Sequence, residues 1–199
     1  MGERRSRREL LAAAGVAAIV SGCGTAAPPA GEPTKGRARS SGDRGIVAFA
    51  LTLEYFEADF YERLVGERLL SGRDQELAKS LGENEAEHVD ALETTLRKLG
   101  GKLPERPRPD YDRLFDGSPE EIVRRAAAIE DLGAAAYLGQ APLIQDKDVL
   151  AAALSIHAVE ARHAAVLNLR VGQSFVPDGA LAAPRERELV LENVAEFLR

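Results

Sequence analysis

The chain is 199 residues long, 45% hydrophobic and 29% charged, with a formal net charge of −6. That length fits one domain plus extensions, and the composition is that of a soluble globular protein. The acidic balance, with no basic stripe interleaved with aromatics, argues against a nucleic-acid partner, and a single cysteine, Cys23, excludes an intrachain disulfide and any multi-thiolate metal site.

Residues 1–22 read as an export signal. Arg7-Arg8 follows Ser6 and a first arginine pair, an apolar run occupies 10–20, and Ser21-Gly22-Cys23 closes the segment. The run is too short to span a bilayer, which takes about 20 apolar residues, and its layout is that of a cleaved leader. Ser-Arg-Arg-x-Leu-Leu resembles the twin-arginine export signal, with Leu10 where that motif often has phenylalanine. Val-Ser-Gly-Cys resembles the lipobox of bacterial lipoproteins, which implies acylation of Cys23 and an extracytoplasmic, membrane-anchored protein. Residues 23–44, rich in Pro, Gly, Ala and Ser, are expected to form a flexible tether.

Four helices are expected over 45–172. Helix A covers about 46–70 and stops at Ser71-Gly72; helix B covers about 74–99 and stops at Gly100-Gly101. Helix C has Ser118 as N-cap, Pro119 in its first position and Glu120-Glu121 in its first turn, and runs to about 144. Helix D covers about 147–171. Short A–B and C–D links require antiparallel hairpins. The B–C link, KLPERPRPDYDRLFDG and its flanks, reaches roughly 55–60 Å when extended, against about 37 Å for a 25-residue helix. It can therefore run the length of the bundle, and an all-α four-helix bundle with one long crossover is the ferritin-like arrangement. Residues 173–199 read as a loop and a further amphipathic helix from about 184, covering either the bundle or a dimer partner.

At about 100° per residue, each expected helix places a carboxylate in the centre of its apolar stripe. Helix A has Glu54 there, with Glu57 also on the apolar face; B has Glu85, C has Glu130 and D has Glu160. His88 and His163 each follow a carboxylate by three residues, on the same face. The pattern repeats: Glu54 with Tyr61 and Glu130 with Tyr137 are seven apart, and Glu85-x-x-His88 matches Glu160-x-x-His163. Buried carboxylates need compensating cations, and four carboxylates with two imidazoles are a ligand set for two divalent ions of the iron or manganese type.

These six residues resemble the di-iron carboxylate ligand set of the ferritin-like superfamily, which includes ferritins, bacterioferritins and rubrerythrins. AFALTLEYFEADFY resembles the opening helix of exported bacterial ferritin-like proteins related to plant desiccation-related proteins. The resemblance implies two iron ions, with manganese an alternative at either position, held by Glu54, Glu85, His88, Glu130, Glu160 and His163, with Glu130 or another carboxylate bridging. It implies reaction of ferrous iron with dioxygen or peroxide. Tyr61, Tyr137 and Glu57 are expected to support the ligands, Glu57 also competing with Glu54 as the helix-A ligand; His157, at the edge of the buried arc, is expected to be either such a support or a satisfied interface histidine. No Cys-x-x-Cys pair is present to feed electrons as in rubrerythrins, and a lipid-tethered N-terminus argues against a closed storage cage; a homodimer is open. The alternatives are an extracytoplasmic metal carrier, a protectant under drying stress, and a metal-free scaffold.

Overall fold

The computed structural model describes the backbone of residues 35–197 and the side chains of 42–196. The export signal, Cys23 and residues 23–34 of the expected tether lie outside the described residues. Among the described residues six α-helices and no strand occur: α1 Lys35–Gly66, α2 Gly72–Lys98, α3 Tyr111–Leu114, α4 Pro119–Gln140, α5 Lys147–Arg170 and α6 Arg187–Phe197. Helix α1 packs along α2, and α4 along α5.

The helix boundaries follow local chemistry. At α4 the Ser118 hydroxyl accepts from Glu121 N–H and the Glu121 carboxylate accepts from Ser118 N–H, a complete capping box with Pro119 just inside it. Gly100, at φ 71°, ends α2, and Gly101 N–H returns to the Leu96 carbonyl at 2.9 Å. Pro142 stops α4 two residues earlier still, at Gln140; a single 3₁₀ turn, Ala141–Leu143, replaces the expected last turn of helix C.

Two features differ more. Helix α1 begins at Lys35, so residues 35–44 are helical where a tether was expected. Asp43 shows why a composition-based reading failed there. Its carboxylate is buried and accepts from Gln145 N–H and Asp146 N–H, both at 2.9 Å, stitching α1 to the start of α5. The crossover also carries the short helix α3, capped by Asp110. It is stapled to α1 by Arg106, whose guanidinium stacks over Tyr55 at 4.1 Å and donates to Asp59 at 2.7 Å.

Two apolar layers flank the middle of the bundle. One gathers Phe56, Phe60, Tyr61, Leu64, Leu81 and Ile129; the other gathers Leu51, Tyr55, Leu92, Leu96, Tyr137 and Ile156. Tyr61 and Tyr137 thus belong one to each layer and face the space between.

The C-terminal segment covers the chain's own bundle. Val190 and Val194 of α6 bury against Phe49 and Leu53 of α1 and Ala136 of α4. The segment reaches that seam by crossing α4 at a glycine: Arg185 N–H donates to the Ala135 carbonyl at 3.0 Å, and a Cβ on Gly139 would stand 2.0 Å from the Arg185 carbonyl oxygen. Gly139→Val therefore unseats residues 184–197 and exposes both valines. Losing their burial costs about 2–4 kcal/mol, read as a lower Tm and faster proteolysis between 173 and 186. An unchanged cleavage pattern would show that the crossing does not hold α6.

Candidate metal centre

Between the two apolar layers the four long helices direct their central carboxylates to one place. Glu54, Glu85, Glu130 and Glu160 are each 0% exposed, and His88 and His163 are buried with them. The six residues form two interlocking groups: Glu54, Glu85, His88 and Glu160, and Glu85, Glu130, Glu160 and His163. Within each group the facing ligand atoms lie within 4.8 Å of one another. Glu85 and Glu160 belong to both groups, so the carboxylates placed to be shared are those of the two Glu-x-x-His turns. Of the expected alternatives, Glu130 or another carboxylate as the bridge, the grouping favours the others, since Glu130 sits in one group alone.

The i, i+3 spacing on α2 and α5 puts each histidine one turn from its glutamate, with Nδ1 turned to the cluster. His88 Nδ1 lies 2.9 Å from Glu85, 3.1 Å from Glu160 and 3.2 Å from Glu54. His163 Nδ1 lies 2.8 Å from Glu85 and 3.3 Å from Glu130. The Asn84 side-chain amide is 3.0 Å from His163 Nε2 and so fixes that ring from behind. Asn84 escaped the sequence reading because it lies off the carboxylate-bearing stripe of α2.

The tyrosines act crosswise. Tyr61, on α1 with Glu54, donates to Glu130 of α4; Tyr137, on α4 with Glu130, donates to Glu54; both bonds are 2.5 Å. Each hydroxyl thus orients the carboxylate of the opposite hairpin, tying the two halves together at the cluster. His157 plays another part: it bonds the Ala134 carbonyl through Nδ1 at 3.0 Å, joining α5 to α4 and not contacting a ligand carboxylate. Glu57 is buried at 2% exposure but stands outside both groups.

Burial raises the Glu54 carboxyl to about 7, and it drives Glu57 and Glu160 well above the usual carboxylate range, with neighbouring carboxylates adding to the rise. Glu130 is raised as well, burial again leading. Burial opposes charge on the imidazoles too, but the hydrogen bonds their N–H groups donate to the surrounding carboxylates outweigh it. His88 rises to about 12 and His163 to about 9. Glu85 faces both rings, and their hydrogen bonds override its burial to hold it near 2.

Even so, the protein alone leaves this cluster unsatisfied. Glu57 Oε2 and Glu160 Oε2 are buried with no partner among the described residues, and Glu85 Oε1, Glu130 Oε2 and Glu160 Oε1 face only an imidazole Nδ1, each ring being shared among several carboxylates. Under-satisfied lone pairs converging from four helices are costly in an apolar interior and are what a cation would satisfy. The oxygen-rich, thiolate-free donor set fits hard or borderline divalent metals, and it is compatible with a di-iron site.

The sequence matches the ferritin-like domain family over residues 42–173, and the chain belongs to that family. Among solved structures, a hypothetical protein from Methanococcus jannaschii aligns with a TM-score of 0.50 and 16% identity, covering 88% of this chain and 100% of its own. That similarity concerns the fold. No curated protein matches.

The titrations set the pH response. For His163, raised to about 9, the stabilisation is complete below its unfolded value and fades as pH climbs through 9. For Glu54, raised to about 7 by burial, the folded state keeps a proton that the unfolded chain has already lost, so stability falls as pH rises toward 7 and levels off above it. Both act in one direction, so the metal-free protein loses about 5 °C or more of Tm between pH 6 and 9. Ions need neutral imidazoles and ionised carboxylates, so loading with metal removes or reverses this slope. Thermal melts of chelated and loaded protein check it; a flat profile for the chelated form would contradict the electrostatics described.

Proposed function

We propose that the chain is a membrane-tethered ferritin-like protein whose buried cluster holds two iron ions, manganese being an alternative at either position. It oxidises ferrous iron with dioxygen or peroxide at the outer face of the membrane. The observation that carries the reading is the pair of interlocking carboxylate–histidine groups sharing Glu85 and Glu160.

Glu54, Glu85, His88 and Glu160 would hold one ion, and Glu85, Glu130, Glu160 and His163 the other. When bound, such a pair supplies the electrons that reduce the oxidant. The protein's own contribution is position and exclusion. Four carboxylates match the charge of two divalent ions, so a dry interior tolerates the filled site. Tyr61 and Tyr137 hold Glu130 and Glu54 by short hydrogen bonds, fixing carboxylates that would otherwise rotate. The apolar layers above and below keep bulk water from the centre.

Ferrous iron added to aerobic full-length protein is expected to be oxidised with matching consumption of oxidant, and Glu85→Ala to abolish this. Iron binding with no oxidant consumed would contradict turnover and leave a carrier. For the tether, Cys23→Ser is expected to move the protein from the membrane fraction to the soluble fraction of the envelope. Membrane retention of that variant would contradict lipidation at Cys23.

A further inference from the structure

We propose that Glu57 is a seventh protein ligand of the metal centre, entering beside Glu160 in a space that Gly133 leaves open, and that it makes the two metal positions inequivalent. This rests on the two-ion reading above.

The two hairpins repeat one pattern, Glu…Tyr followed by Glu-x-x-His, but the repeat breaks at one position. Three residues after Glu54 stands Glu57; three residues after Glu130 stands Gly133. Both are one helical turn beyond a ligand and therefore face the same interior. The break has a steric meaning. A Cβ on Gly133 would stand 2.7 Å from Glu57 Oε1 and 2.9 Å from Glu160 Oε2. The two carboxylates thus converge on the volume that a side chain at 133 would fill. On the half carrying the extra carboxylate there is a side chain; on the facing half there is only space to receive it.

Glu57 has no structural task that would account for its burial. Its Oε2 is buried with no hydrogen-bond partner among the described residues, in contrast to Asp43, whose two oxygens cap the start of α5. A long carboxylate taken out of water and left unpaired is retained at a cost. Here it lies beside Glu160, common to both groups, whose Oε1 faces His88 Nδ1 at 3.1 Å and whose Oε2, the oxygen beside the Gly133 space, is buried without a partner. An ion held by Glu160 on the side of the Gly133 space would be one that Glu57 can join, satisfying both carboxylates. The added carboxylate brings one negative charge beyond what two divalent ions neutralise, so the position that Glu57 joins differs from its neighbour in charge and in donor count.

The test is an anaerobic calorimetric titration of the full chain with ferrous ion, wild type against Glu57→Gln and Glu57→Asp. Each variant is checked for helical content, and the loaded proteins are compared by Mössbauer spectroscopy, which resolves the ions separately. Wild type is expected to bind in two steps. Glu57→Gln keeps the shape and hydrogen-bonding capacity of the side chain and removes a strong ligand, so one step is expected to weaken about 10- to 100-fold with the other nearly unchanged. One of the two Mössbauer components changes with it, and Glu57→Asp restores part of the loss. A folded Glu57→Gln protein that binds both ions as wild type does would overturn the proposal and leave the two-ion reading intact. Equal weakening of both steps would also overturn it. Failure of the wild type itself to bind iron would bring down the two-ion reading, and this proposal with it.

Discussion

Five carboxylates and two imidazoles buried in one place are the constraint around which this bundle is arranged. Charge in an apolar interior is tolerated only when paired and hydrogen-bonded. Every long helix contributes to the problem: α1 through Glu54 and Glu57, α2 through Glu85 and His88, α4 through Glu130, and α5 through Glu160 and His163. The protein compensates part of it internally, by the rings facing Glu85 and the tyrosines facing Glu54 and Glu130. The unpartnered Oε2 atoms of Glu160 and Glu57 mark where internal compensation stops.

The rest of the fold follows from holding that cluster rigid and dry. Two hairpins can each bring half of the ligands, but something must fix one half against the other. The crosswise Tyr61–Glu130 and Tyr137–Glu54 bonds do so at the centre, since each spans from one hairpin to the other. At the edges, Asp43 joins α1 to the start of α5, Arg106 pins the crossover on Tyr55, and α6 closes the seam of α1 with α4. The near-twofold arrangement gives the cluster its form, and the Glu57–Gly133 pair is where that symmetry is deliberately incomplete.

Much of this was legible in the sequence because the signals were local and periodic. Glu85-x-x-His88 and Glu160-x-x-His163 declare their shared faces by spacing alone, and the Ser118-Pro119-x-Glu121 start of α4 carries its cap in four residues. The short A–B and C–D links dictated two hairpins, and the length of the crossover let it run the length of the bundle between them. What could not be read depended on distant partners. Asp43 sits in a Gly- and Ser-rich stretch that composition assigns to a tether, and only the backbone of Gln145 and Asp146 explains its burial. His157 lies at the edge of the buried arc, where spacing leaves open a support for a ligand or an interface histidine, and only the Ala134 carbonyl beside it separates the two. The tyrosines were placed correctly along their helices, yet their reach across to the opposite half is a property of the packed bundle. Asn84 and the space beside Gly133 belong to the same class.

The central claim is that these buried groups exist to hold a metal pair. The most direct measurement is the metal content of the full chain after anaerobic reconstitution with ferrous iron and removal of unbound ions, beside a Glu85→Ala, Glu160→Ala double variant. The account predicts about two irons per chain in the wild type and none retained in the variant, which lacks both shared carboxylates. No stoichiometric metal in the wild type, or equal metal in the two proteins, would contradict it.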